Sequence, residues 1–286
     1  MNKNNPIITV VIPTRNRPDY LKQALQSVLG QDFQNKRIVV IDNAPDIVAQ
    51  TVVEEIGGGQ VEYIKFDEDT GIIGGWNRAV EICDTKYLSI FHDDDVMLTG
   101  FLSKSVTALE ANPSAMMSYA QANKVDSQLN YISIWSDLYL RKGLIRGGDY
   151  LMYIIQNGCC VTIAPTVVFR RSVFDKVGMF IDELCYNSFD LNMWIKIANR
   201  FDIFFLKEIL VHYRLHEKQM SQKHWFTKGY PTGRLATMME LIHATQLLLK
   251  KECIISDPKR QRFLINKISE FNKLASGYAR SLISGL

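Results

Sequence analysis

Three adjacent aspartates, Asp93, Asp94 and Asp95, follow a short apolar segment and are the strongest candidates for chemistry in the sequence. Neighbouring carboxylates repel one another unless a cation or hydrogen-bond donors neutralise them. Mg²⁺ and Mn²⁺ prefer carboxylate oxygens and usually keep coordination positions free for phosphate oxygens. The cluster therefore predicts a divalent metal site that can hold a diphosphate. The alternative is an acidic loop that caps a helix beginning near Leu98.

Polar residues also follow three other apolar segments that have the length and composition of buried strands. Strands are predicted at residues 7–12, 37–41, 61–66 and 87–91. Helices are predicted between them at residues 19–29, 48–56 and 75–82. This alternation indicates an α/β fold, a parallel sheet covered by helices on both faces. Ligands bind beyond the carboxyl ends of such strands, so the polar residues are expected to meet at one edge.

The alternation weakens in the second part of the chain. Further helices are predicted at residues 98–111, 147–157, 171–177 and 190–200. Further strands are predicted at residues 116–120, 131–135, 166–170, 203–206 and 209–215, with a turn at residues 123–130. Beyond Thr232 the pattern is helical, and Pro258 divides it into two segments.

The composition of the 286 residues, 47 % hydrophobic and 22 % charged, is typical of a soluble globular chain. A net charge of +3 is too small for electrostatic capture of nucleic acid by the whole chain, so no nucleic-acid partner is expected. The five cysteines form no CxxC pair, which indicates reduced thiols in a cytoplasmic protein. The sequence contains neither a signal-peptide core nor a run of about 18 apolar residues that would span a bilayer.

The charge is concentrated at the end of the chain. Residues 221–286 contain 11 basic and four acidic residues, so this segment carries +7 and the first 220 residues carry −4. Two interpretations stay open. The basic residues form a solvated helical face, or they contact an anionic membrane surface or a phosphate-bearing acceptor, which would place the protein peripherally at the inner face of the membrane.

Several segments, which follow one another in the same order along the chain, resemble family 2 glycosyltransferases with the GT-A fold. They are residues 9–31, 38–43 and 71–79, the aspartate cluster, and residues 168–180 and 213–216. The resemblance implies a Rossmann-like nucleotide-binding sheet with helices on both faces, merged with a smaller acceptor-binding part and followed by C-terminal helices. The implied division assigns the nucleotide-sugar-binding half to residues 1–97, the acceptor-binding and catalytic half to residues 98–220, and a helical extension to residues 221–286.

The resemblance also implies which residues bind the nucleotide. Its motifs match Pro13, Thr14, Arg17, Asp42, Gly74, Asn77, Arg78, Asp93 and Asp94. A carboxylate such as Asp42 can accept a hydrogen bond from the base or the ribose, and a turn residue is the alternative for it. Gly74 would allow close backbone approach, and Asn77 is expected at the start of a helix whose N-terminus favours phosphate. A plain loop followed by a capped helix is the alternative for that segment.

For a metal ion, Mn²⁺ or Mg²⁺, the resemblance implies Asp95, with Asp93 and His216 as further ligands. Members of the family often have another acid where this sequence has His92, so which aspartate binds the metal stays open. A surface histidine is the alternative for His216.

An inverting transferase needs a carboxylate that takes the proton of the acceptor hydroxyl. In the family this base opens a helix after a loop that residues 178–183 resemble, and Asp190 matches its position. Asp190 is therefore the implied catalytic residue. The alternative is a simple helix N-cap, a position that aspartate often occupies.

Together these residues imply an inverting, metal-dependent transfer of a sugar from a nucleoside-diphosphate sugar, UDP-linked, to a hydroxyl. The acceptor would be a carbohydrate or a lipid-linked glycan, in the synthesis of cell-surface polysaccharide or glycolipid. A catalytically silent nucleotide-sugar-binding module is a second hypothesis, but it would lack the base. A nucleotidyltransferase is a third, but residues 14–18 lack the glycines that its phosphate loop needs. The donor sugar, the acceptor and the oligomeric state stay open.

Overall fold

The computed structural model describes residues 5–44, 48–66, 68, 70–135, 141–158, 162–181, 189–217, 219, 232–251 and 257–284. The chain divides into two compact units. The first, the sheet unit, comprises Met1–Leu144, Thr162–Met179 and Ile203–Arg214. The second, the helical unit, comprises Ile145–Val161, Phe180–Asp202 and Leu215–Leu286. The functional division of the chain that the resemblance implies stays a prediction.

The sheet unit is built on a mixed sheet of ten strands. They are β1 (Ile8–Thr14), β2 (Lys36–Asp42), β3 (Val61–Lys65), β4 (Tyr87–Ile90), β5 (Val96–Met97), β6 (Ala115–Val125), β7 (Tyr131–Trp135), β8 (Gly143–Ile145), β9 (Val167–Arg170) and β10 (Asp202–Arg214). The strand order is β3-β2-β1-β4-β9-β6-β10-β5, with β7 on β6 and β8 on β10. The first four strands are parallel, as predicted, whereas β9 is antiparallel to both β4 and β6.

Nine α-helices lie in the described part of the chain. Those of the sheet unit are α1 (Pro18–Leu29), α2 (Val48–Gly57), α3 (Gly71–Glu81), α4 (Phe101–Ala111) and α6 (Phe174–Val177). Those of the helical unit are α5 (Gly147–Asn157), α7 (Phe189–Arg200), α8 (Thr232–Leu249) and α9 (Pro258–Ser284). None of the described helices is long and apolar enough to cross a membrane.

Helix α1 illustrates how the sequence pattern positions the elements around the sheet. Pro18 occupies the first turn, where its missing N–H costs nothing, and Gly30 follows the last residue. Leu21, Leu25 and Val28 recur at helical spacing and are buried against the apolar core that contains β1. The loop between β1 and α1 is thereby held at the carboxyl end of the sheet.

Several predicted boundaries are wrong. Helix α3 begins at Gly71, so Asn77 lies in its second turn and not at its N-terminus. Strand β10 replaces the two strands predicted at 203–206 and 209–215. Lys207 and Glu208 between them keep the extended backbone. The Glu208 side chain forms ion pairs with Lys104 and Lys142. Strand β6 continues to Val125, so the predicted turn starts later, and the short strands β5 and β8 were not predicted.

Cys83 is buried and its thiol is free. The other four cysteines lie outside the described residues, as do residues 182 and 183 of the loop that precedes the implied base.

The start of helix α5 packs tightly against the end of helix α7. A Cβ atom added to Gly147 would lie 1.9 Å from the carbonyl oxygen of Ala198 and 2.3 Å from that of Phe201. These are backbone atoms, which cannot move aside as a flexible side chain can. Glycine at this position is therefore required by the close approach of the two helices.

We expect Gly147→Ala to lower the free energy of unfolding by about 3 kcal/mol, because the added methyl group forces the two helices apart. Gly148→Ala is the matched control, since an added Cβ there meets nothing within 4 Å. In a helix this control should be neutral or stabilising. Urea unfolding of the three proteins measures the difference, and equal midpoints for the two variants would contradict the packing argument.

Candidate active site

The aspartate cluster lies where the carboxyl ends of the parallel strands meet. Strand β1 pairs with β2 so that Thr14 is opposite Asp42, and β1 pairs with β4 on its other side. The N–H of Phe91 donates to the carbonyl of Val11 at 2.8 Å, which keeps the segment after β4 beside β1. The prediction that polar strand ends meet at one edge is confirmed for these strands.

Donors at the end of β1 and in the loop that follows it bind two of the three aspartates. The Thr14 hydroxyl donates to Oδ2 of Asp93 at 2.7 Å, and Nη2 of Arg17 lies 3.2 Å from Oδ1 of Asp93. Nη1 of Arg17 donates to Oδ2 of Asp94. Asp93, Asp94 and Asp95 are at most 4 % exposed, so these charge-assisted hydrogen bonds act in a poorly hydrated environment. Thr14 and Arg17, both expected at the nucleotide, thus form one network with the cluster.

Arg214, at the end of β10, holds the third aspartate and was missed by the sequence reasoning. Its backbone N–H donates to Oδ1 of Asp95 at 2.8 Å. Its guanidinium donates to the carbonyl oxygens of Asp94 and Ser127, each at 2.8 Å. A further bond goes to Oε1 of Gln23 at 2.8 Å, and the side chain is buried. The available signal was an arginine within a predicted strand rich in apolar residues, because such a charge needs partners if it is buried.

His92 and two of the three aspartates form a group that can hold a divalent cation. One ligand atom each from His92, Asp94 and Asp95 lies within 4.8 Å of the others. Nε2 of His92 is buried and makes no hydrogen bond among the described residues, and Oδ2 of Asp95 lies 3.4 Å from Nδ1 of His92. Both oxygens of Asp93 are occupied by Thr14 and Arg17. Carboxylate oxygens suit Mn²⁺ or Mg²⁺, so Asp94 and Asp95 fit the metal that the sequence predicts.

Burial dominates the protonation of the cluster. It raises the pKa of Asp93 to about 7, against the opposing charge of Arg17. It raises the pKa of Asp95 to about 6, against the hydrogen bond from His92. Burial lowers the pKa of His92, but the hydrogen bond to Asp95 and the charges of the three aspartates outweigh it, so the net shift is upward. Without a cation, the cluster therefore retains protons in the folded protein that it would lose on unfolding.

The difference in bound protons between the folded and the unfolded chain predicts how metal binding depends on pH. The unfolded chain loses the two aspartate protons near pH 3.8, whereas the folded, metal-free chain loses them near 6 and 7. The metal-free protein should therefore lose stability as the pH rises through this range. Mn²⁺ competes with the protons, so the rise in Tm caused by a fixed Mn²⁺ concentration should grow from about pH 5 to about pH 8. A rise that is the same at every pH would contradict the assignment.

Asp42 is held at the end of β2 by three partners. The N–H of Ala44 donates to its Oδ1 and the Tyr63 hydroxyl to its Oδ2, each at 2.8 Å. Nζ of Lys65 lies 3.6 Å from Oδ2. The bond to Ala44 is the turn contact that was the alternative for Asp42. Its predicted contact with the base or ribose stays a prediction, as does that of the neighbouring Pro13.

Helix α3 meets the cluster through Trp76, whose ring lies 5.7 Å from that of His92. Gly74 is required within the helix, because an added Cβ would come within 2.3 Å of the Thr70 side chain. The Arg78 guanidinium pairs with Glu81 at 2.8 Å and lies over the ring of Phe66. Roles for Gly74, Asn77 and Arg78 in phosphate binding stay predictions.

Asp190 and His216 belong to the helical unit. Asp190 lies in the first turn of α7, where the N–H of Leu191 donates to its Oδ1 at 2.7 Å. Two residues further on, Nδ2 of Asn192 lies 3.1 Å from each carboxylate oxygen of Glu240 on α8. His216 is 9 % exposed, so it is not the surface histidine that was its alternative.

The fold is that of GT-A enzymes. The structure is similar to TarS residues 1–349 of S. aureus in complex with UDP-GlcNAc, with a TM-score of 0.65 and 16 % identity over 92 % of this chain and 80 % of that chain. In another TarS structure with a longer chain, the part similar to this protein is 42 % of that chain. It is also similar to the mannosyltransferase PcManGT of Pyrobaculum calidifontis in complex with GDP-Man and Mn²⁺, with a TM-score of 0.61 and 14 % identity over 98 % and 74 % of the two chains.

The sequence comparison identifies the family. Residues 9–178, more than half of the chain, match glycosyl transferase family 2. An uncharacterized glycosyltransferase of Rickettsia prowazekii is 24 % identical over 221 residues, which are 76 % of this chain and 67 % of the relative. The chain therefore belongs to glycosyl transferase family 2, as its motifs indicated.

Proposed function

We propose that this protein is an inverting glycosyltransferase that moves a sugar from a nucleoside-diphosphate sugar, UDP-linked, to an acceptor hydroxyl in a metal-dependent reaction. The observation that carries the proposal is the group formed by His92, Asp94 and Asp95, whose donor atoms suit a divalent cation at the end of parallel strands. One solved neighbour binds UDP-GlcNAc and another binds GDP-Man with Mn²⁺, which supports both a nucleotide sugar and a metal here.

The sheet unit supplies the donor-binding residues in this proposal. Asp95, with Asp94 and His92 or Asp93 beside it, would hold Mn²⁺ or Mg²⁺, and His216 is a further predicted ligand. When bound, the metal ion would stabilise the negative charge that develops on the diphosphate leaving group. Arg17 lies beside the same carboxylates. Its guanidinium would hold the aspartates in place and counter their charge while the diphosphate binds.

The helical unit supplies the base. Asp190 would take the proton of the acceptor hydroxyl as that oxygen attacks the anomeric carbon on the side opposite the nucleoside diphosphate. Attack from this side inverts the configuration of the sugar.

We infer that the acceptor is a carbohydrate or a lipid-linked glycan and that the protein works in the cytoplasm, peripherally at the inner face of the membrane. Exposed Arg262, Lys273 and Arg280 on α9 support this inference, because their charges suit an anionic lipid surface. A role in the synthesis of cell-surface polysaccharide or glycolipid would follow from such an acceptor.

A donor panel tests the proposed function. The protein is incubated with Mn²⁺ and each of several nucleotide sugars, with and without candidate acceptors, and released nucleoside diphosphate is measured. Acceptor-dependent release from one donor, with an inverted anomeric configuration in the product, is the expected result. A retained configuration would contradict the assignment of Asp190. Tight nucleotide binding without release from any donor would favour a silent binding module.

A further inference from the structure

His92 is the one member of the candidate metal group that is not an acid. The N–H of Asp95 donates to the carbonyl of His92 at 3.4 Å, which closes a turn over residues 92–95. This turn brings Nδ1 of His92 within 3.4 Å of Oδ2 of Asp95. The His92 ring also lies 5.7 Å from the ring of Trp76 on helix α3. The fold thereby holds an imidazole beside the carboxylates.

The contacts of the cluster distinguish His92 from Asp93 as the third metal ligand. The Thr14 hydroxyl donates to Oδ2 of Asp93 at 2.7 Å, and Nη2 of Arg17 lies 3.2 Å from its Oδ1, so both oxygens have partners. A ring nitrogen of His92, in contrast, lies within 4.8 Å of an oxygen of each of the other two aspartates. His92 is therefore better placed than Asp93 to complete the ligand set.

The ring of His92 has a lone pair that no described residue uses. Nδ1 faces the carboxylate of Asp95, which only accepts hydrogen bonds when it is ionised, so Nδ1 carries the proton of a neutral imidazole. Nε2 then carries the lone pair. It is buried and makes no hydrogen bond to the part of the chain that the structure describes. A buried polar atom without a partner is uncommon, and a bound ion is one of the groups that supplies the partner.

We propose that His92 is a nitrogen ligand of the metal ion and that it determines which ion the site selects, Mn²⁺ in preference to Mg²⁺. The inference rests on the proposed function for the use of this ion in sugar transfer, although the ligation itself does not. Mg²⁺ prefers oxygen ligands in a near-octahedral arrangement and gives up water reluctantly, whereas imidazole suits transition metals. One nitrogen and two carboxylates should therefore discriminate against Mg²⁺ more strongly than three carboxylates would.

Pulsed electron paramagnetic resonance of Mn²⁺ bound to the full chain tests the ligation without any measurement of transfer. Modulation of the echo by histidine nitrogen is expected in the wild type, and it should change when histidine is labelled with nitrogen-15. The modulation should be lost or reduced in His92→Gln. His212→Gln is the matched control, since His212 is a half-buried histidine that pairs with Val96 beside the cluster. Undiminished modulation in His92→Gln would assign the nitrogen to another histidine and overturn the proposal.

Calorimetric titration with Mn²⁺ and with Mg²⁺ tests the selectivity. In His92→Asp, an oxygen ligand replaces the nitrogen, so the preference for Mn²⁺ over Mg²⁺ should fall about 10-fold, and His212→Gln should keep it. A general weakening of the site affects both ions and cancels in this ratio, so a merely structural role for His92 would leave the ratio unchanged. An unchanged ratio would therefore overturn the proposal. The ratio also decides the case in which His92→Gln binds too little Mn²⁺ for spectroscopy.

The two measurements separate this inference from the proposed function. Mn²⁺ bound through oxygen ligands alone, in a protein that transfers a sugar, would refute the role of His92 and leave the proposed function intact. Mn²⁺ bound through His92 in a protein that transfers no sugar would support the inference and count against the proposed function alone. A chain that binds no Mn²⁺ would refute both the inference and a metal-dependent reaction.

Discussion

Replacement of Asp190 by asparagine is expected to lower the rate of sugar transfer about 1000-fold, the size of a general-base contribution. Asparagine has nearly the same shape, and its oxygen can still accept the hydrogen bond that Leu191 donates to Asp190. It cannot take a proton from an acceptor hydroxyl. The affinity for UDP with Mn²⁺ should stay unchanged, because the proposed nucleotide and metal residues are intact. Initial rates of nucleoside diphosphate release and calorimetric titration with UDP measure the two effects.

Asp149→Asn is the matched control for this variant. Asp149 is also an acid in the first turn of a helix of the helical unit, and it is exposed. A general effect of charge at a helix N-terminus would appear in both variants, whereas the loss of a base appears only in Asp190→Asn. Normal transfer by Asp190→Asn would show that the base is another residue. Loss of UDP binding together with transfer would indicate a structural role for Asp190.

Replacement of Asp95 by asparagine is expected to weaken Mn²⁺ binding about 100-fold or more, since even the loss of an outer partner of a metal ligand costs 10–100-fold. The carboxamide oxygen can still accept the bond that the Arg214 N–H donates to Asp95. The rate of sugar transfer should fall together with the affinity for Mn²⁺. In the absence of metal the variant should be more stable than the wild type near pH 8, because a buried carboxylate that repels Asp94 becomes neutral.

Calorimetric titration with Mn²⁺ and thermal unfolding without metal measure the two effects of Asp95→Asn. Asp175→Asn serves as the control, since Asp175 is an exposed acid of the same unit that pairs with Arg171. A variant that binds Mn²⁺ as the wild type does would exclude Asp95 as a ligand. A variant that is less stable without metal would show that the Asp95 carboxylate is needed for the fold, apart from any cation.

The sequence was sufficient to predict the edge of the sheet at which the cluster lies. The carboxyl ends of parallel strands must meet, so Thr14, Arg17 and the aspartates could be placed together before any contact was known. The contacts that Arg214 makes with the cluster could not be predicted in this way. Arg214 contacts Asp94 across 120 residues, and no local pattern encodes that pairing. His92 was taken as a departure from the family pattern, whereas its nitrogen lies among the candidate metal ligands.

Errors in the predicted elements have local physical causes. Three glycines in the segment 71–75 lower its helix propensity, so the start of α3 was placed too late and Asn77 was put at the N-terminus. Gly71 takes a φ of 66° as the first residue of this helix, a value open to glycine. Glu240 was counted only as one of four acids in a basic tail, because burial against α7 cannot be read from the periodicity of α8.

Thermal unfolding with UDP tests whether the sheet unit holds a nucleoside diphosphate through a divalent metal. The Tm of the wild type is measured with Mn²⁺ alone and with Mn²⁺ plus increasing UDP. A ligand that binds only the folded protein stabilises it by about 2.7 kcal/mol at 100 times its Kd. We therefore expect a further rise in Tm with UDP that depends on Mn²⁺ and is lost in Asp95→Asn. No UDP-dependent rise in the wild type would contradict both a nucleotide-sugar transferase and a silent nucleotide-sugar-binding module.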